Sequence, residues 1–138
     1  MATAVTGRAG QTFHRFGVHE MQKQLVSAEK LLLQNDLAGA ERELRDILRL
    51  APDEAVAHNM LGLVHLERRE HAEAMTAFSA AIGLKTPYPE ALINLAVACN
   101  RTGEHELALR VCGIALQASP GNPLALVNQG MAWKGMRQ

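Results

Sequence analysis

The sequence predicts an all-α chain of repeated antiparallel helical hairpins, and three observations carry that prediction. Small residues recur every 34 positions at Ala28, Gly62, Ala96 and Gly130, with a second series at Ala40, Ala74 and Ala108. Turn-forming pairs and prolines interrupt the chain at matching intervals. One Trp, one Tyr and three Phe in 138 residues leave Leu, Ala, Ile, Val and Met to build the core, a set that favours helices over strands.

Taken in order, the segment 1–20 opens with Gly, Ala and Thr and carries Phe13, Phe16 and Val18. It reads as a tail or as an extra packing helix. Full repeats follow at 21–54, 55–88 and 89–122, with a half repeat or capping helix at 123–138. Helical stretches are expected at 21–34, 55–68, 89–102 and 123–136, alternating with partners at 37–50, 71–84 and 105–118. Asn35-Asp36, Arg69-Glu70 and Gly103-Glu104 make the turns inside repeats. Ala51-Pro52-Asp53, Thr86-Pro87-Tyr88-Pro89 and Ser119-Pro120-Gly121-Asn122-Pro123 separate one repeat from the next. Turns this short require antiparallel neighbours. Pro89 and Pro123 stand where a new helix begins, a place that tolerates proline because its missing N–H would be unpaired anyway.

The third repeat reads Leu92-x-x-Leu95-Ala96-x-x-Cys99, then Ala108-x-x-x-Cys112, then Pro120. The second reads His58-x-x-Leu61-Gly62-x-x-His65 and Ala74-x-x-x-Phe78; the first has Gln24-x-x-Ser27-Ala28-x-x-Leu31, Ala40-x-x-x-Leu44 and Pro52. This pattern resembles the tetratricopeptide repeat family, with aromatic positions replaced by Gln24, His58, Leu92 and Leu126, or by Leu31, His65, Cys99 and Trp133. The resemblance implies a right-handed α-solenoid of stacked antiparallel helical hairpins, with three full repeats and a C-terminal half repeat. It also implies close helix contacts at Ala28, Gly62, Ala96 and Gly130, and a concave groove lined by the first helix of each repeat.

On that geometry the peptide groove is expected at Asn59, Met60, Leu63, Ile93, Asn94, Val97, Asn100, Arg101, Val127, Asn128 and Met131, with Leu25, Glu29 and Leu32 continuing it. Aliphatic and methionine side chains adapt to varied ligands, and amides offer donors and an acceptor to an extended backbone. Asn94 and Asn128 look like the asparagine ladder of superhelical arrays such as that of the O-linked N-acetylglucosamine transferase. Asn94→Ala is expected to weaken binding and leave stability nearly intact. Co-chaperone members of the family clamp an acidic chaperone tail with Lys, Asn and Arg. Here Leu25, Glu29, Met60 and Glu90 occupy those places and Asn94 departs as well, so such a tail is not expected to bind.

Other functions find little support. Fourteen basic residues balance fourteen acidic ones, which disfavours nucleic acid or an anionic membrane as partner. No run of residues is apolar enough to span a bilayer or to act as a secretory leader. His58 and His65 share a helix face but are read as core fillers, with His71 and His105 as exposed turn residues, so no metal site is expected. Cys99 and Cys112 lie almost symmetrically about the Gly103-Glu104 turn, which suits buried structural thiols in a reducing, cytoplasmic compartment. Glu41, Arg42, Glu43 and Arg45 read as a solvated charged face. No phosphate loop, catalytic triad order or zinc-protease motif is present, so neither an enzyme nor a cofactor is expected.

The reading is therefore a protein-interaction scaffold or adaptor for a peptide or partner protein. Two alternatives accompany it: the recognition module of a larger enzyme such as a glycosyltransferase or sulfotransferase, and a self-assembling structural element. The last helix motivates both. It is expected to cover the third repeat through Leu126, Gly130 and Trp133, leaving further apolar residues open to self-association near Trp133 or Met136.

Overall fold

The computed structural model describes the backbone from Ala9 to Arg137 and the side chains from Gly17 to Arg137. Phe13 and Phe16 therefore carry side chains outside the described residues. Every element among those residues is a helix, and no strand occurs. The chain divides into two compact units, Met1–Pro52 and Asp53–Gln138.

The first unit is one hairpin, α1 (Ala9–Leu33) and α2 (Leu37–Leu50). Residues 9–20 are neither a tail nor a separate helix; they are the first turns of a 25-residue α1. Nothing in that stretch breaks helical geometry, since its glycines cost only about 0.5–1 kcal/mol each and no proline intervenes. Ala28, Ala40, Leu44 and Ile47 are buried. Glu43 does not belong to the solvated face: it is half-buried and accepts a hydrogen bond from Ser27 Oγ at 3.1 Å. Arg45 pairs with Glu41 at 2.8 Å on the exposed side.

The second unit contains α3 (Ala55–Glu67), α4 (His71–Leu84), α5 (Pro89–Arg101), α6 (His105–Ala118) and α7 (Pro123–Met136). Successive helices α3/α4, α4/α5, α5/α6 and α6/α7 pack together, and α5 also touches α3 and α7. Pro89 and Pro123 open α5 and α7 as expected, and Asn122 caps α7 by accepting from the N–H groups of Leu124 and Ala125.

One turn is used three times. Asn35, Arg69 and Gly103 each adopt positive φ (62°, 63° and 83°), and the N–H of the next residue returns to a carbonyl five positions back, as in Glu70 to His65 at 2.8 Å. Asp36 and Glu104 make the same bond to Leu31 and Cys99, so orphan carbonyls at the helix end are satisfied in every repeat. Glycine would suit all three sites; only Gly103 is one.

Small residues set the helix separation. Ala28 and Ala96 are fully buried, and a methyl added to Gly62 would collide with the ring of Phe78, itself fully buried. Gly130 breaks the expected pattern: it is exposed and nothing lies within 4 Å of a Cβ built there. No helix following α7 plays the part that α4 plays for α3 among the described residues. For the same reason Leu126 and Trp133 do not cover the third repeat. Ala125, Asn128 and Ala132 do, and Trp133 is 56% exposed.

Cys99 and Cys112 are buried, free and part of one core with Phe78, Leu92 and Leu95. Burial pushes the Cys99 thiol up to about 11, helped by the nearby Glu104 carboxylate and by Cys112. Burial also raises the Cys112 thiol.

Gly62→Ala is expected to destabilise the second unit by about 1–3 kcal/mol through overpacking, whereas Gly130→Ala should stabilise by about 0.5–1 kcal/mol by removing helical glycine. Equal shifts in denaturant unfolding would contradict this register. Iodoacetamide should label neither cysteine at pH 8 until denaturant is added, because only the thiolate reacts and both thiols stay neutral and enclosed. Stability drawn from the neutral Cys99 thiol is complete below the ordinary value of 9.0 and is lost as pH rises through about 11.

Candidate ligand-binding face

The first helices of the second unit present a common face through α3, α5 and α7. On α5, Glu90, Asn94, Val97 and Arg101 are spaced four, three and four residues apart and so form one stripe. Glu90 and Arg101 are exposed; Asn94 and Val97 are half-buried. Half-buried Met60 and Leu63 belong to α3, and exposed Val127 and Met131 to α7. The face is mainly apolar with charge at both ends of its central helix.

Three sequence-predicted residues sit deeper than expected. Ile93 is 6% exposed and packs in the core, while Asn59 and Asn128 are 8% and 5% exposed. The side-chain amides of Asn59, Asn94 and Asn100 hold helices together. Asn94 Nδ2 donates to Asn59 Oδ1 at 3.0 Å, joining α5 to α3, and Asn59 also hydrogen-bonds Tyr88. Asn128 Nδ2 donates to the Leu124 carbonyl at 2.9 Å within α7. Asn100 Nδ2 donates to the Asn128 carbonyl at 3.0 Å, and its Oδ1 meets His105 Nδ1 at 3.0 Å, so Asn100 ties α5 to both α7 and α6. Of the four amides, Asn94 alone keeps an unengaged Oδ1 at a half-buried position; Asn94 and Asn128 are not equivalent rungs of a ladder.

The two edges of this face differ in charge. At the N-terminal edge Tyr88 is buried, and its phenol is raised by that burial and then by the carboxylates of Glu90 and Glu54. Lys85 places its ammonium 4.5 Å from the Tyr88 ring centroid. At the C-terminal edge a cleft of about 520 Å³ is lined by Leu66, Glu67, Arg69, His71 and Arg101.

The histidines fill several roles. His65 is buried in its expected core position and its Nδ1 lies 2.8 Å from Glu70 Oε1; His58 is half-buried. His71 and His105 are not exposed turn residues. Both are half-buried: His105 rests against Gly135 where a Cβ would collide with its ring, and His71 has a buried Nδ1 without a partner. Among the described residues no cluster of His, Cys, Asp or Glu is arranged to hold a metal ion, and no helix is long and apolar enough to cross a membrane. The cleft at Arg69 and His71 escaped sequence reasoning, which assigned both to a solvated turn.

The tetratricopeptide repeat profile matches residues 25–89 and 76–123. A search of curated proteins gives no significant match. Among solved structures, the chain is similar to an O-GlcNAc transferase of Thermobaculum terrenum at 24% identity and TM-score 0.79, over 83% of this chain but only 22% of that one. It thus spans about a fifth of that enzyme's length. A MamA protein aligns at 23% identity and TM-score 0.78, covering 94% of this chain and 71% of that one. The first repeat domain of Spaghetti (RPAP3), bound to an HSP90 peptide, aligns at 15% identity and TM-score 0.82, covering 87% and 95%. At these identities the likeness establishes the fold, and the profile spans well over half the sequence: the chain belongs to the tetratricopeptide repeat family.

Proposed function

We propose that the chain is a non-catalytic protein-interaction module, a scaffold or adaptor that receives a peptide or partner segment on the face of α3, α5 and α7. The unengaged Asn94 carbonyl, set among half-buried Met60, Leu63 and Val97, carries this reading. It offers one polar anchor to a ligand backbone within an adaptable apolar surface. Peptide-bound relatives such as the Spaghetti domain with its HSP90 peptide support this use of the fold. Met60 and Glu90 still argue against an acidic chaperone tail as the ligand. The two free cysteines suit a cytoplasmic setting.

A second reading concerns α7. Leu126, Gly130 and Trp133 form an outward stripe with no helix upon it among the described residues, and a second copy stacking there would bury it.

Peptides selected by display on the whole chain should bind Val127→Glu/Met131→Glu about tenfold more weakly, a loss of about 1.4 kcal/mol. The unfolding midpoint should barely move, because both positions are exposed. Unchanged affinity would place the ligand elsewhere. Asn94→Ala is a poorer probe than the sequence suggests: it orphans buried Asn59 Oδ1 and should cost about 1–3 kcal/mol of stability. Leu126→Glu/Trp133→Glu should abolish any concentration-dependent sedimentation; a strict monomer before substitution would refute self-association.

A further inference from the structure

The proposed peptide face has an electrical direction as well as an apolar surface. Along α5, Glu90 and Arg101 stand at opposite ends of one stripe with Asn94 and Val97 between them. Eleven residues of helix separate the two charges by about 16 Å. Each end is reinforced from α3 and its flanking turns. Glu54 acts with Glu90 on the Tyr88 phenol, so two carboxylates gather at the N-terminal edge against the single Lys85 ammonium, which sits over the Tyr88 ring. Arg69 and His71 share the opposite cleft with Arg101, against a single acid, Glu67. Among the described residues, no ion pair engages the side chain of Arg69 or Arg101.

Resting on the reading above, we infer that the ligand is an extended peptide of fixed orientation, with an apolar centre over Val97, a basic side chain toward Glu90 and an acidic group toward Arg101. An extended chain covers about 3.3 Å per residue, so the two ligand charges should lie about five residues apart. A helical ligand would have its backbone satisfied internally and would leave Asn94 Oδ1 unused. Opposite charges across the face set register and suppress reversed binding more than they add affinity.

The competing account is that Glu90 and Arg101 serve only the α5 dipole, which favours acid at a helix N-terminus and base at its C-terminus. The two accounts part in a binding experiment on the whole chain. A random short-peptide display library is selected against the unsubstituted protein, and the enriched peptides are then measured on Arg101→Glu and on Glu90→Lys, each first shown folded by circular dichroism. Enriched peptides should carry base and acid about five residues apart and bind each variant about fivefold more weakly. Exchanging the two charges of the peptide should restore affinity for Glu90→Lys/Arg101→Glu. Peptides that depend on Val127 and Met131 but show no charge polarity, with variants altered only in thermal stability, would overturn the inference and leave the binding face standing. If no enriched peptide responds to Val127→Glu/Met131→Glu, the face itself is wrong and the inference falls with it.

Discussion

Two helices can lie nearly backbone to backbone only where one offers no side chain beyond a methyl group. That constraint governs the second unit, where the Phe78 ring occupies the space a Cβ on Gly62 would need. Fully buried Ala96 and Cys112 hold the corresponding positions in the next hairpin. Once the hairpins close in this way, Phe78, Leu92, Leu95, Cys99 and Cys112 come together in one core. The functional face follows, because it is whatever the first helices present after the core has taken its share.

The turns make the closure repeatable. Positive φ at Asn35, Arg69 and Gly103 reverses the chain in the same way each time, and the following N–H groups return to the preceding helix. Buried and half-buried asparagines then lock neighbouring repeats. Asn59 with Asn94 joins α3 to α5, and Asn100 with the Asn128 backbone joins α5 to α7. An unpaired amide there would cost more than the bond returns when made, so these residues are framework first and surface second. That explains why a face predicted to be rich in amides presents mainly Asn94.

Among the described residues, the half repeat shows the same physics on one side only. Gly130 occupies the register of Gly62 and Ala96, yet its surroundings are empty, and Leu126 and Trp133 lie exposed beside it. The repeat pattern of a solenoid helix presupposes a neighbour on each side. Against α5 and α6 the buried residues Ala125, Asn128 and Ala132 make the contact, while Leu126 and Trp133 face outward.

The sequence by itself determined the helical class, the 34-residue period, the positions of the turns and the proline-led helix starts, because these follow from local propensity and spacing. Burial of Ala28, Ala40, Ala74, Ala96 and Ala108 was also legible, since small residues at a fixed period have few other uses. Tertiary structure alone decided how far α1 extends toward the N-terminus and which stripe of α7 is covered. It alone made Ile93 a core residue, paired Asn59 with Asn94, and gathered Arg69, His71 and Arg101 in one cleft. Those outcomes depend on which helix lies across from which, and residues 35 positions apart become partners only when two repeats stack. Periodicity tells which side chains share a face; only the neighbour's presence or absence tells whether that face meets protein or solvent.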